Sequence, residues 1–362
     1  MSQVLYRKYR PQSFDEIVGQ QHIVTTLRNA IKTGDISHAY LFSGPRGTGK
    51  TTMARVFTKT LNCNSSAQKD DVCLKCDICN QLEKGSFVDL IEIDAASNRG
   101  IDDIRELKEA VRVSPAVGDY KVYLVDEAHM LTKEASNALL KMLEEPPAHA
   151  IFILATTEPH KLLPTIMSRT QHFDFHFLNS DEIKNKLQGI LTREKRILES
   201  AVLDLVTLAS GGSLRDAESI LGKILSLNTP TEQVVRGILG LVDIIKISNF
   251  IDFLIENKKD DALNYINEIT QTGTDLEQFI INTIEYMRKI LFLKMSPSSE
   301  KLIAKNFTKE ELQVAKKQTD LLTEKKIYGI IKQLLNASQD IKYSPVPQLP
   351  LELAVVEIIG EE

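Results

Sequence analysis

The chain has 362 residues, 43% of them hydrophobic and 26% charged, with a formal net charge of −5. That length and balance exclude a single small core or a disordered segment and predict two or three globular domains. The acidic balance gives no whole-chain argument for nucleic acid, so such a contact must come from a local patch or an assembly.

No run approaches the roughly 18 apolar residues of a membrane helix, and the opening MSQVLYRKYRPQSF lacks the apolar stretch of a signal peptide. The expected address is the cytoplasm, with no membrane partner.

In chain order, the first strand run is AYLFS. It leads into GPRGTGKT, Gly44 to Thr51, which fits G-x-x-x-x-G-K-S/T, and then into the helical TMARVFTKTLN. Strand, glycine-rich loop and helix are the context this motif requires. The glycines let backbone N–H groups turn inward around phosphates, and the helix N-terminus adds a positive dipole. Lys50 is expected to reach the β and γ oxygens of ATP, and Thr51 to ligate Mg²⁺. A glycine-rich turn is the bland alternative; the flanking strand and helix argue against it.

All four cysteines follow directly, spaced C-x9-C-x2-C-x2-C at Cys63, Cys73, Cys76 and Cys79. Four thiolates with no open position describe a structural Zn²⁺ site that staples an insertion at about 62–82.

Four more strand runs, DLIEID, KVYLVDE, IFILATT and QHFDFHF, alternate with helical stretches over Asp102 to Val113 and Thr132 to Glu145. This βα alternation predicts a parallel sheet. KVYLVDE places Asp126 and Glu127 at a strand's carboxyl end, where open α/β sheets bind ligands. Adjacent acids there are commonly a solvated turn. After the phosphate loop, Asp126 is expected to hold the magnesium shell and Glu127 to polarise the attacking water. Thr156 and Thr157 reach the same edge. From about Asn179 strand runs cease, and short helices broken by Gly211, Gly212 and Pro230 give way near Val242 to longer amphipathic ones. The domains read as 1–178, nucleotide-binding with the zinc insertion; 179–241, a small helical lid; and 242–362, an all-α collar.

These residues resemble the gamma/tau subunits of the bacterial replicative clamp loader, AAA+ ATPases of the DNA polymerase III holoenzyme. The resemblance rests on YRKYRPQSFDEIVGQ, HAYLFSGPRGTGKTT, the four-cysteine insertion, FVDLIEIDAASNRGIDDIRELKE, KVYLVDEAHML, NALLKMLEEPP, FILATTEPHKLLPTIMSRT and GGSLRDA, and runs over essentially the whole chain.

The resemblance implies a parallel-sheet AAA+ domain, a lid and an oligomerising collar. Thr157 would be sensor 1, Arg169 an arginine finger reaching a neighbouring subunit's γ-phosphate, and Arg215 sensor 2. The family usually carries Ser-Arg-Cys at the finger, where this chain has Ser168-Arg169-Thr170. The nucleotide would be held by Arg10, Pro11, Val18, Gly19, His22 and Leu214, together with Gly44, Pro45, Arg46, Gly47, Thr48, Gly49, Lys50, Thr51, Thr52 and Arg215. Arg99, Arg105 and Lys141 would lie near duplex phosphates. Implied partners are delta-like and delta-prime-like subunits, further copies of the chain, the sliding clamp and primed-template DNA.

Three other readings compete. Asp-Glu-Ala-His at 126 to 129 is a helicase signature, but such motors need a second RecA-like sheet and 179–362 shows none. A protein unfoldase needs an aromatic pore loop where DAASNRGID stands. A non-catalytic loader scaffold is at odds with intact Lys50, Thr51, Asp126 and Glu127.

Overall fold

The computed structural model describes residues 4–64, 71–98, 100–227, 230–239, 244–296 and 309–360. Two compact units divide the chain, Met1–Pro230 and Thr231–Glu362.

The first unit is built on five parallel strands, β1 (Ala39–Ser43), β2 (Leu90–Asp94), β3 (Lys121–Asp126), β4 (Ala150–Thr156) and β5 (Gln171–Asp174), in the order β2-β3-β4-β1-β5. The central strands are nearly continuous apolar runs because helices cover both faces of the sheet.

Successive side chains of a strand point to opposite faces, so one run feeds two cores. Tyr40, Phe42, Leu124 and Ile153 pack with Ile23, Leu27, Met53 and Phe57 from α2 (Gln21–Thr33) and α3 (Lys50–Leu61). Leu41, Tyr123, Val125 and Phe152 pack on the other side with Ile104, Leu139 and Ile166 from α5 (Ile101–Val111), α6 (Lys133–Glu144) and α7 (Pro164–Met167). A short α1 (Leu5–Lys8) precedes this layer, and α4 (Asp77–Lys84) lies in the cysteine insertion.

Three further helices complete the unit: α8 (Ser180–Glu194), α9 (Ser200–Ala209) and α10 (Leu214–Leu225). The start of α8 is fixed by a capping box in which Asn179 Oδ1 accepts from the Glu182 N–H and Glu182 accepts from the Asn179 N–H, both at 2.9 Å. Such a box satisfies two donors that a bare helix end leaves open.

The second unit is helical among the described residues: α11 (Glu232–Ile238), α12 (Ile244–Ile255), α13 (Lys259–Gln271), α14 (Leu276–Met295), α15 (Lys309–Leu321), α16 (Glu324–Asp340) and α17 (Leu349–Gly360). Its core joins Phe250, Ile266, Phe279, Met287, Ile330 and Leu351. Within it, buried Gln318 donates to Asp252 Oδ1 at 2.7 Å and accepts from the Tyr286 hydroxyl at 2.6 Å, so both ends of its amide are satisfied. No helix among the described residues is long and apolar enough to cross a membrane.

Candidate functional site

The site forms where β1, β3 and β4 end. β1 stops at Ser43 and the chain turns sharply through the loop before α3. Two glycines are demanded there by space as well as by backbone. Gly44, at φ +134°, would place a Cβ 2.2 Å from the Phe175 carbonyl oxygen, and Gly47, at φ +78°, would place one 2.0 Å from Ser213 Oγ. The second contact seats the N-cap of α10 directly against the phosphate loop.

Lys50 is buried and its ammonium donates to the carbonyls of Gly44 and Pro45, at 2.7 and 2.8 Å. Burial pushes its pKa down, while the carboxylates of Glu127 and Asp126 pull the other way. Thr51 Oγ1 donates to Asp126 Oδ2 at 2.8 Å. A hydroxyl and a carboxylate thus meet at the first turn of α3, an oxygen pair suited to a hard divalent cation.

Glu127 leaves the strand with left-handed backbone, φ 49° and ψ 45°, which ends the extended run at Asp126. Its Oε2 accepts from Thr157 Oγ1 at 3.1 Å. The preceding threonine, Thr156, ends β4, is fully buried and lies 3.0 Å from His129 Nδ1. His129 Nε2 in turn sits 3.1 Å from Glu158 Oε2, and its Nδ1 is 3.5 Å from Glu127 Oε2. With Nε2 protonated toward Glu158, Nδ1 accepts the Thr156 hydroxyl proton, and that hydroxyl oxygen accepts the Glu158 N–H at 3.0 Å. His129 therefore ties the turn after β3 to the end of β4 through Thr156 and Glu158. Sequence reading passed it over, although its place two residues beyond Glu127 in KVYLVDEAH was the available signal.

The cleft above the loop is lined by Arg46, Gly47, Thr48, Gly49, Lys50, Thr51, Thr52, Asp126 and Glu127 at one end. Arg10, Pro11, Val18, Leu214 and Arg215 line the remainder, joined by Tyr6, Ile17, Leu178 and Glu218, which sequence reading did not single out. Arg215 lies over the Tyr6 ring, 4.9 Å from its centroid. Arg10 is held below the usual arginine range by burial and by the neighbouring Arg55 charge.

Gly19, His22, Gly44, Pro45 and Thr157 are not among the residues of the cleft wall. Gly19 backs onto Leu178, and exposed His22 points its ring at the Asp174 carbonyl, 3.3 Å away, beside His176. Arg169 also lies outside the cleft, with its guanidinium paired to Glu144 at 2.9 Å on the exposed end of α6. Lys141 is exposed on the same helix, Arg99 lies outside the described residues, and the Arg105 side chain does as well.

The four cysteine sulfurs lie within 4.8 Å of one another. Separations of 3.7, 3.9 and 4.0 Å for Cys63–Cys79, Cys73–Cys79 and Cys63–Cys76 are far too long for disulfides. They sit close to the ~3.8 Å edge of a tetrahedron with metal–sulfur bonds of about 2.3 Å. Backbone N–H groups of Cys73 and Cys76 point at the sulfurs of Cys63 and Cys73, each at 3.4 Å, as donors that favour thiolates. Donor type, number and spacing all fit one four-coordinate metal ion.

Five parallel strands, a glycine-rich loop after β1 and an acidic pair at the end of β3 define a AAA+ nucleotide-binding domain. Residues 19–179 match the family described as DNA polymerase III, delta subunit, and residues 231–361 match DNA polymerase III subunits gamma and tau domain III. The chain is 34% identical over 359 residues to the DNA polymerase III subunit gamma of Buchnera aphidicola subsp. Baizongia pistaciae, covering 99% of this chain and 96% of that one. It is 42% identical over 358 residues to the subunit tau of Bacillus subtilis (strain 168), covering 98% and 63% of the two chains. For the subunit tau of Escherichia coli (strain K12) the figures are 37% over 362 residues, with 99% and 55% covered. The chain belongs to the DNA polymerase III gamma/tau family, and it spans a little over half the length of these two tau relatives.

Proposed function

We propose that this chain is an ATP-driven motor subunit of a bacterial clamp loader, which opens a sliding clamp and places it on primed-template DNA for the replicative polymerase. The observation that carries this reading is the pairing of Thr51 with Asp126 and of Thr157 with Glu127 at the mouth of the phosphate loop, in a chain of the gamma/tau family.

In this reading Lys50 leaves its loop carbonyls for the β and γ oxygens of ATP, and Arg215, fixed by α10 beside Gly47, reaches the γ-phosphate from the other wall. Thr51 and Asp126 would hold Mg²⁺, which when bound draws charge from the β and γ oxygens. Glu127 orients and polarises the attacking water, and Thr157 keeps that carboxylate aimed. Arg10, Pro11, Val18, Gly19, His22 and Leu214 hold the base and ribose. Arg169, outside its own cleft, supplies transition-state charge to a neighbouring subunit, which makes hydrolysis depend on assembly.

The remaining parts follow from the same reading. Residues 179–241 act as a lid over the nucleotide and 242–362 as the collar that joins delta-like and delta-prime-like subunits and further copies of the chain. Arg99, Arg105 and Lys141 contribute to a DNA-facing surface whose charge the assembly completes, and the protein works in the cytoplasm.

ATP turnover is the direct test, measured for the chain alone, with loader partners, and with clamp and primed DNA added. Turnover should rise at each addition; a rate indifferent to partners and DNA would sink the loader reading.

The cysteine insertion binds one structural Zn²⁺ through Cys63, Cys73, Cys76 and Cys79. Elemental analysis of protein never exposed to chelator should return about one zinc per chain, and Cys79→Ser should lose the metal and lower the first unit's melting temperature. Zinc-free protein with an unchanged melting temperature would refute the assignment.

A further inference from the structure

One side chain of the cleft is not used by the phosphate chemistry. Glu218 is 5% exposed, lines the cleft, and its Oε1 has no hydrogen-bond partner. A buried polar atom left without a partner in a folded protein calls for an explanation. Burial pushes this carboxyl up to about 7, against the opposing charges of Lys186 and Arg10, and no ion pair joins it to either among the described residues.

Its position along α10 says which end of a nucleotide it meets. Ser213, the N-cap of α10, touches the phosphate loop at Gly47. Glu218 is five residues further on, about 7 Å along the helix axis at 1.5 Å per residue. It shares a helix face with Leu214, four residues earlier, and Leu214 lines the cleft with Ile17, Val18 and Leu178. Those aliphatic walls suit the flat faces of a purine, and a carboxyl among them is placed to meet the polar edge of the ring. A carboxylate at the other end of the cleft would instead repel the triphosphate.

We propose that Glu218 reads the base of the bound nucleotide, its free carboxyl oxygen accepting a hydrogen bond from the 6-amino group of adenine. The inference rests on the ATP-site reading given above and adds to it the residue that selects the base. When the nucleotide enters, the unpartnered oxygen gains its donor, and a purine without a 6-amino group leaves that oxygen as it was.

Equilibrium binding of ATP is compared with that of purine riboside 5′-triphosphate, which lacks the 6-amino group, and of 2′-deoxy-ATP. A buried hydrogen bond of this kind is expected to favour ATP over the purine analogue by roughly tenfold in the unmodified protein. Glu218→Leu should bring the two within about twofold, and Glu218→Gln, which keeps an acceptor oxygen, should retain the preference. Equal binding of ATP and the purine analogue by the unmodified protein overturns the proposal, and this arm needs no variant to fold. Retention of the preference in Glu218→Leu overturns it as well, as does a loss confined to 2′-deoxy-ATP, which would place the carboxyl on the ribose. Lys50→Ala separates the two readings. If ATP binds Lys50→Ala as tightly as the unmodified protein, the cleft is not the triphosphate site and the underlying reading falls. If Lys50→Ala abolishes binding while Glu218→Leu keeps its preference, only the role of Glu218 falls.

Discussion

Glu127→Gln is expected to bind ATP nearly as tightly as the unmodified protein and to hydrolyse it roughly 10²–10⁴-fold more slowly, the range lost when a general base is removed. The geometry makes this a clean substitution. Glutamine has the size of glutamate, fits the same left-handed backbone, and keeps an oxygen to accept from Thr157 Oγ1, so the turn after β3 should survive. What disappears is the negative charge that polarises water. Asp126→Asn is different, because its carboxylate takes the Thr51 hydroxyl bond and the Glu127 N–H, so the magnesium shell should weaken and ATP affinity fall with turnover. Equilibrium ATP binding and phosphate release, measured on both variants, separate the two effects. Equal turnover in Glu127→Gln and unmodified protein would remove Glu127 from the chemistry.

Arg169→Ala is expected to leave ATP binding to its own subunit unchanged and to cut turnover of the assembled loader by about 10³–10⁵-fold at the neighbouring site, the range found for arginine fingers. The side chain lies outside its own cleft on the segment following α7, and its contacts with Glu144, Ser168 and the Thr165 carbonyl are all on an exposed surface. An exposed pair of this kind contributes little to stability, so exchanging Glu144 for a phosphate should meet a small barrier. Phosphate release by loader reconstituted with the variant is the measurement.

The parts of this site that were legible in the sequence are those whose chemistry is local. Gly44 to Thr51 could be read because loop, lysine and hydroxyl are contiguous, and Asp126 and Glu127 because an apolar strand delivers them. The cysteine cluster was legible for the same reason: its ligands span only 17 residues from Cys63 to Cys79. The βα alternation gave the parallel sheet, but the order β2-β3-β4-β1-β5 is set by pairing between strands far apart in sequence. No local pattern records such pairing.

Glu218 shows the same limit at the level of one residue. On an amphipathic helix a glutamate reads as a solvated position, and only the seating of Ser213 against Gly47 carries that helix face into the cleft. His129 was hidden differently. Its letter completes a helicase-like tetrad, and no local pattern records what the ring touches, Thr156 on one side and Glu158 on the other. His22 enters the nucleotide reading through family resemblance alone, because a lone histidine with its ring exposed beside His176 carries no local signal of a ligand.

In the proposed loader each ATP site is completed by a second subunit. Mixing tests it most directly. Loader assembled from Glu127→Gln copies alone, or from Arg169→Ala copies alone, should be nearly inactive. Assemblies formed from both together should regain a substantial fraction of turnover, because an intact Arg169 then faces an intact Glu127 across some interfaces. Failure of the mixed assembly to exceed either parent, with assembly itself verified by mass, would contradict a site shared between subunits.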